Sequence, residues 1–227
     1  MAESIESFAA SYAAAKSKNA YAAYYAASER LYRAIADHVT TAQGVPVGAM
    51  AYYTAGFAGW AVQYAAFHAG PTPAVPPTVM QYPDNTGRLW FQGRDIDDLL
   101  VGADADSLSR IMLANYDAMK APVETRPDPN AIMQKVVGVL MGDWNAMLCG
   151  NVSPQDHLAV MTVMGPRFRE FLSDACAPAD LVPVSAMMMS KLVRDTSTPA
   201  TCGNATSALL ETAFFAALMD YGMVAVR

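Results

Sequence analysis

Charged residues are scarce in this chain of 227 residues. Lys, Arg, Asp and Glu together make up 16% of it, whereas hydrophobic residues make up 53%. Globular domains usually carry about a quarter charged residues. Because a monomer needs polar surface, this shortage predicts that part of the apolar surface is covered by contacts between subunits, making the protein a homo-oligomer. An Ala-rich helical monomer is the alternative explanation.

Cysteine is also scarce, and its spacing excludes the usual cysteine-based sites. The three cysteines, Cys149, Cys176 and Cys202, lie far apart and form no Cys-x-x-Cys pair. This argues against a disulfide framework or a zinc site and is compatible with a reducing compartment. The acidic N-terminal segment lacks the apolar core of a signal peptide. We therefore expect a cytoplasmic protein, or one located within a virus particle if it is a coat protein.

Catalytic motifs are missing as well. The chain has no Gly-rich phosphate loop, nucleophile elbow or His-Glu-x-x-His pair, and its three histidines are scattered. The acidic run at residues 95–98 could bind a divalent cation, but aspartates are also favoured at helix N-termini, which is the interpretation we prefer. We predict that the protein is not an enzyme and has no catalytic residue, metal site or cofactor.

One long stretch has no Asp, Glu, Lys or Arg at all. It covers residues 39–83, and its first half, residues 46–69, begins with a proline and ends before a glycine. These are start and stop signals of a helix. Apolar and aromatic side chains point in every direction around this helix, which indicates a buried helix. Several polar groups dilute its hydropathy, so we expect no stable membrane span.

Small residues recur at every fourth position in two predicted helices. The central helix has Ala51, Ala55 and Gly59, and a later helix has Gly138, Gly142 and Ala146. Such a seam allows another backbone to approach closely. A glycine inside a helix costs about 1 kcal/mol relative to alanine, so a structural role is expected. We predict that the two seams face each other, within one chain or between chains.

The fold class predicted from these patterns is mainly α, a two-lobed helical bundle with one short β-hairpin between the lobes. Prolines interrupt the chain after residue 70, and two β-prone runs then flank a turn at residues 83–87. We assign residues 1–70 to an N-terminal lobe, 71–94 to the connection and hairpin, and 95–227 to a C-terminal lobe. A hairpin this small cannot bury its larger side chains alone. We therefore expect Trp90 or Phe91 to pack on the helices, and we predict that the arm also reaches a neighbouring subunit, with an interface at Tyr82, Leu89, Trp90 and Phe91.

Tyrosines and basic residues share the N-terminal helices. Tyr21, Tyr24 and Tyr25 lie near several lysines and arginines, a combination that can stack bases and neutralise phosphates. The alternative is that the tyrosines pack in the bundle with their hydroxyls at its rim. The second interpretation is favoured, because acidic residues dilute the local charge and the net charge of the chain is −6.

A later segment resembles a known family. The run Gly-Pro-Arg-Phe-Arg-Glu-Phe at residues 165–171, followed by Ala-Phe-Phe at 213–215, resembles the helical core of flexuous filamentous plant-virus coat proteins. The likeness covers about fifty residues, and the aspartate expected between the phenylalanines is absent. It implies that Arg167 and Arg169 are candidates for nucleic-acid binding.

The predicted function is a non-enzymatic, structural, self-assembling helical protein, of which a viral coat or nucleocapsid subunit is one instance. The alternative is a ligand-binding or regulatory protein with an apolar pocket between the lobes. Its aromatic lining would come from the three tryptophans, Trp60, Trp90 and Trp144.

Overall fold

Eight α-helices and one β-hairpin form most of the regular structure in residues 5–83, 87–142 and 176–220, the residues that the computed structural model describes. Two short 3-10 turns, Val123–Thr125 and Pro178–Asp180, complete it. The predicted mainly α fold with a short hairpin is confirmed. The helices are α1 Ile5–Lys18, α2 Ala20–Val39, α3 Val47–Phe67, α4 Arg94–Val101, α5 Leu108–Ala118, α6 Pro129–Met141, α7 Leu181–Thr196 and α8 Cys202–Leu218, and the strands are β1 Val79–Pro83 and β2 Leu89–Gly93.

Side-chain caps begin two of the helices, at residue types that favour capping. The Asn19 side chain accepts a hydrogen bond from the backbone N–H of Ala22 at 3.1 Å, at the start of α2. Asp128 accepts one from Asn130 N–H at 2.9 Å, and Pro129 follows as the first residue of α6. Each cap satisfies a backbone donor that the helix itself leaves unpaired.

The charge-free helix α3 lies at the centre of the fold. Every residue from 54 to 67 is buried, and α3 packs most extensively against α8 and α7. The buried amide nitrogen of Gln63 is satisfied, because Nε2 donates to the carbonyl oxygens of Ala217 at 3.0 Å and Met219 at 2.6 Å. The prediction of a buried helix is therefore confirmed for residues 54–67, whereas residues 47–53 are exposed or half-buried apart from Met50. Among the described helices, none combines the length and hydropathy needed to span a bilayer.

The small-residue seam of α3 makes a close helix contact, but with a different partner from the predicted one. A Cβ added at Gly59 would collide with Ala213 O and Ala216 Cβ and would lie 2.6 Å from Ala217 N, all on α8. At Gly138 and Gly142 an added Cβ would meet no described atom within 4 Å, and Gly142 ends α6 as its C-cap. Ala146 lies outside the described residues. Within one chain the predicted partner is thus corrected to α8, whose own small residues permit the approach.

The hairpin is anchored on the helices by its second strand. β1 and β2 pair antiparallel, with Tyr82 opposite Trp90. Trp90 and Phe91 are buried, and the Phe91 ring lies edge-on to Phe67 with 5.1 Å between centroids. Trp90 also forms a β-bridge with Met219, beyond the end of α8. In this chain Trp90 and Phe91 therefore belong to the core. Of the four predicted interface residues, only Tyr82 and Leu89 are left with accessible surface.

The core is continuous between the predicted lobes. One cluster of buried apolar side chains runs from Phe8 in α1 to Met219 beyond α8. The main contacts of α3, an N-terminal element, are with α7 and α8, which are C-terminal elements. The connection at residues 71–94 therefore separates the lobes only in sequence, because the buried core includes residues from both sides of it. Independent folding of either lobe stays a prediction.

We expect Gly59→Ala to destabilise the protein although alanine favours helices. The added methyl group meets backbone and Cβ atoms of α8, which cannot move aside as a flexible side chain could. Overpacking of this kind costs about 1 to 3 kcal/mol, and the helix propensity of alanine returns only about 1. The free energy of unfolding in urea should therefore fall.

Gly138→Ala is the matched control for that experiment. Gly138 is exposed and lies within α6 with no described atom near its Cβ position. The same substitution there should raise the free energy of unfolding by up to about 1 kcal/mol. Equal or greater stability of Gly59→Ala compared with the wild type would disprove the close contact between α3 and α8.

Candidate functional site

One surface cleft opens at the start of α3, between α7 and α8, and has a volume of about 160 Å³. Val47, the first residue of α3, lines it and is 55% exposed, and Val45, two residues earlier in the chain, is 44% exposed. None of the described residues that line this cleft, which we call the Val47 cleft, is charged. Its lining residues are Val47, Gly48, Ala51, Tyr52, Leu192, Val193, Thr196, Ala205, Ala208, Leu209 and Thr212.

The second cleft is larger, at about 500 Å³, and is lined by α2, α5 and α7 together with Ala105. Because tyrosine and arginine side chains line it, we call it the Tyr–Arg groove. Its α7 lining includes Met187 and Ser190, which are buried. The lining residues are Tyr21, Tyr25, Ala105, Arg110, Ile111, Ala114, Asn115, Ala118, Met187, Ser190 and Arg194.

The two tyrosines of the groove are unusually exposed for aromatic side chains. Tyr21 is 67% exposed and Tyr25 is 47% exposed, whereas the neighbouring Tyr24 is buried. Tyr21 and Tyr25 are four residues apart, so they lie on the same face of α2, about 6 Å apart along its axis. The expectation that the tyrosines of this helix pack inside the bundle therefore holds for Tyr24 and is wrong for Tyr21 and Tyr25, while Tyr32 is half-buried.

The two arginines of the groove carry charge that no described carboxylate neutralises through an ion pair. Arg110 on α5 and Arg194 on α7 are both exposed. Arg194 Nη1 donates to Asn115 Oδ1 at 2.7 Å, so a neutral amide holds that guanidinium in place. Elsewhere in the described chain, other arginines pair with acids, as Arg126 does with Asp117 at 2.9 Å.

A buried cluster around one acid, Asp180, lies at the other end of α7 and has a structural role. Asp180 accepts hydrogen bonds from Tyr12 O–H at 3.0 Å and Tyr24 O–H at 3.3 Å, and Lys16 Nζ lies 2.6 Å from it. Burial, followed by the Asp180 charge, raises the pKa of Tyr24 to about 12. Because three donors on α1 and α2 satisfy the carboxylate, the cluster fastens these helices to the start of α7.

A second buried acid lies close to the phenylalanine run of α8. Glu211 is 2% exposed, and Lys135 Nζ on α6 donates to its Oε1 at 2.7 Å. Glu211 lies three residues before Phe214 in the chain. Its observed role is to join α6 to α8.

The acidic run at residues 95–98 is located at a helix N-terminus, as predicted. Asp95 and Asp97 lie in the first turn of α4, and Asp98 pairs with Arg94 at 3.3 Å. Burial, and then the nearby Asp98 charge, raises the pKa of Asp97. In the described parts of the chain, no three His, Cys, Asp or Glu side chains are grouped so that they could hold a metal ion.

Several residues singled out in the sequence do not belong to either cleft. Trp60 and Trp90 are buried in the core and line neither one. Trp144, Arg167 and Arg169 lie outside the described residues, so the proposed roles of these three residues stay predictions. The groove residues Arg110, Asn115 and Arg194 were missed by sequence reasoning. The only signal for the groove was the spacing of Tyr21 and Tyr25.

We expect the thiol of Cys176 to react slowly in the folded protein. Cys176 is buried, and burial raises the pKa of its thiol from 9.0 to about 11. At neutral pH the reactive thiolate is therefore about a hundredfold scarcer than in the unfolded chain, since each pKa unit is a factor of ten. Alkylation by iodoacetamide, followed by peptide mass spectrometry, should be at least that much slower in buffer than in urea. Equal rates would contradict the burial of this thiol, and a faster rate in the folded protein would indicate an activated nucleophile.

Comparison with known proteins provides no relative from which a function could be carried over. No protein-family model, no curated protein and no solved structure matches the chain. The function must therefore be argued from the two clefts and from the charges around them.

Proposed function

We propose that the protein is a non-enzymatic structural subunit that assembles with copies of itself, as a viral coat or nucleocapsid subunit does. The observation that carries this proposal is the Val47 cleft, an open apolar surface without a charged side chain in its lining. The low charge content of the chain, 16%, points in the same direction. The location that fits this function is the cytoplasm or the interior of a virus particle.

The size of the Val47 cleft favours a protein partner over a small apolar ligand. Pockets for drug-sized ligands usually have volumes of about 300 to 1,000 Å³. This cleft has about 160 Å³, similar to the cavities of about 150 Å³ that hold a single benzene molecule. It therefore has room for about one apolar side chain. A side chain inserted from a second copy of the chain fits that space, which supports assembly over the ligand-binding alternative.

The rim of the cleft supplies the contact area that such an insertion needs. Val47 in the lining and Val45, two residues earlier in the chain, each expose about half of their surface to water. Complete burial of a valine is worth about 1.5 to 3 kcal/mol, so covering what these two expose contributes roughly 1 kcal/mol each. Interfaces are organised in this way, with an anchor in a pocket and an apolar ring that excludes water.

The hairpin offers a second, smaller contact surface. Met80 and Tyr82 on β1 are exposed, and the Tyr82 ring stacks on Trp90 with centroids 4.9 Å apart. Because Trp90 is fixed in the core, Tyr82 is held in a defined orientation at the surface. The proposed contribution of the hairpin to assembly therefore rests on Met80, Tyr82 and Leu89, with Trp90 and Phe91 as their support.

We expect the wild-type protein to be an oligomer and Val47→Asp to lower its mass toward that of one chain. Aspartate is favoured in the first turn of a helix, so this variant should keep its fold. It places a charge at the edge of an apolar contact, where the cost of desolvation opposes assembly. Light scattering coupled to size-exclusion chromatography measures the mass, and circular dichroism checks the helices.

Val123→Asp is the control for this experiment. Val123 is 82% exposed and lies in the short turn before α6, away from the Val47 cleft. The same substitution there should leave the mass unchanged. A wild-type protein that stays monomeric at every concentration would refute the proposed function, and an oligomeric Val47→Asp would remove the cleft from the interface.

A further inference from the structure

The Tyr–Arg groove has features that the self-assembly proposal does not use. Tyr21 and Tyr25 present their rings to solvent on one face of α2, although a helix in this apolar chain could bury them as it buries Tyr24. Flat aromatic faces exposed in a groove are platforms on which another planar ring can stack. Successive rings on one helix face are suited to successive planar groups of a ligand.

The charges of the groove favour an anion. Arg110 and Arg194 line it, and no described carboxylate forms an ion pair with either guanidinium. This is notable because the chain has 21 acidic and 15 basic residues, so partners for arginine are abundant. The acids nearest to Arg110 in sequence do not pair with it: Asp104 accepts a hydrogen bond from the backbone N–H of Asp106, Asp106 forms no ion pair with Arg110, and Asp117 pairs with Arg126.

The volume of the groove and the fixed position of one of its arginines also suit a ligand. Its volume of about 500 Å³ falls within the usual range of ligand sites, about 300 to 1,000 Å³. Asn115 is buried and holds the Arg194 guanidinium through its amide oxygen. An oriented guanidinium loses less conformational entropy when it binds an anion.

We propose that the Tyr–Arg groove binds single-stranded nucleic acid, with bases stacked on Tyr21 and Tyr25 and backbone phosphates held by Arg110 and Arg194. A ligand that combines planar rings with anionic groups matches both features of the groove. Unpaired bases expose the ring faces that stacking needs, whereas a duplex hides them. The site differs from the one that the sequence suggested at Arg167 and Arg169.

The groove is independent of the Val47 cleft. α7 contributes Met187, Ser190 and Arg194 to the groove, but Leu192, Val193 and Thr196 to the cleft. Variants in the groove therefore test nucleic-acid binding, and variants at Val47 test assembly. Failure of one proposal leaves the other standing.

The experiment measures the anisotropy of a fluorescein-labelled oligoadenylate of about ten nucleotides, a length within the usual site size. The wild-type protein should bind it. A plot of the logarithm of the binding constant against the logarithm of the salt concentration should have a slope of about −1.4, because the two arginines neutralise two phosphates and each phosphate of a single strand contributes about −0.7. Arg110→Ala should halve that slope. Arg94→Ala, an exposed arginine outside the groove, should leave it unchanged.

The tyrosine variants separate stacking from attraction of charge. Tyr21→Ala should weaken binding at least fivefold, the lower end of the effect of one base–aromatic stack. Tyr21→Phe keeps the ring and should retain most of the affinity. Because Tyr21 is exposed, neither variant should change the melting temperature.

Three results would overturn the proposal. Competition by inorganic polyphosphate as strong as that of unlabelled oligoadenylate would mean that only charge is recognised. The mononucleotide AMP could compete at the same molar concentration as the oligonucleotide, making the site a nucleotide pocket. Finally, the Tyr21 and Arg110 variants could lower the mass of the assembly, which would identify the groove as an interface between copies.

Discussion

The close approach of α3 to α8 at Gly59 is the contact on which the rest of the structure depends. Because Gly59 has no side chain, the backbone of α8 at Ala213 and Ala217 lies where a Cβ would otherwise be. That distance allows Gln63 to reach the carbonyl oxygens at the end of α8, so its buried amide donor is satisfied. The same alignment brings Met219 to Trp90, which fastens the hairpin. A larger residue at position 59 would disturb all of these contacts together.

Burial of α3 covers much of the apolar surface of the chain. The two surfaces with a proposed function, the Val47 cleft and the Tyr–Arg groove, lie at the edges of α7. Charges that enter the interior are paired: Asp180 with Lys16 and Glu211 with Lys135. Unpaired buried charges would be far more costly. The two exposed clefts then differ in chemistry: the one at Val47 is apolar and suits another copy of the chain, and the one at Tyr21 and Arg110 suits an aromatic anion. A structural subunit that packages nucleic acid needs both kinds of surface.

Local features of the fold could be predicted because short-range rules govern them. The caps at Asn19 and Asp128, the charge-free helix α3 and the hairpin all follow from residues within a few positions of each other.

Contacts between residues that are far apart in sequence could not be predicted. The seam at Gly59 indicated a close contact, but several segments rich in small residues were available as partners, and α8 was not distinguished among them. The groove brings together Tyr21, Arg110 and Arg194, each more than 80 residues from the next in sequence. No local sequence pattern predicts that residues this far apart lie close together in the fold. Packing on the helices and anchoring an interface could not be separated for Trp90 and Phe91, because their observed partners, Met219 for Trp90 and Phe67 for Phe91, lie far from them in sequence.

Hydrogen exchange followed by mass spectrometry tests the central claim, that α3 and α8 form one inseparable core, most directly. Amides that are released only by global unfolding exchange with the free energy of unfolding of the whole protein. We expect the buried part of α3, residues 54–67, and residues 209–218 of α8 to exchange together with that free energy, and more slowly than α1 and the hairpin. Protection of α3 while α8 exchanges at a lower free energy would contradict the account, because it would show that α3 stays buried without its partner.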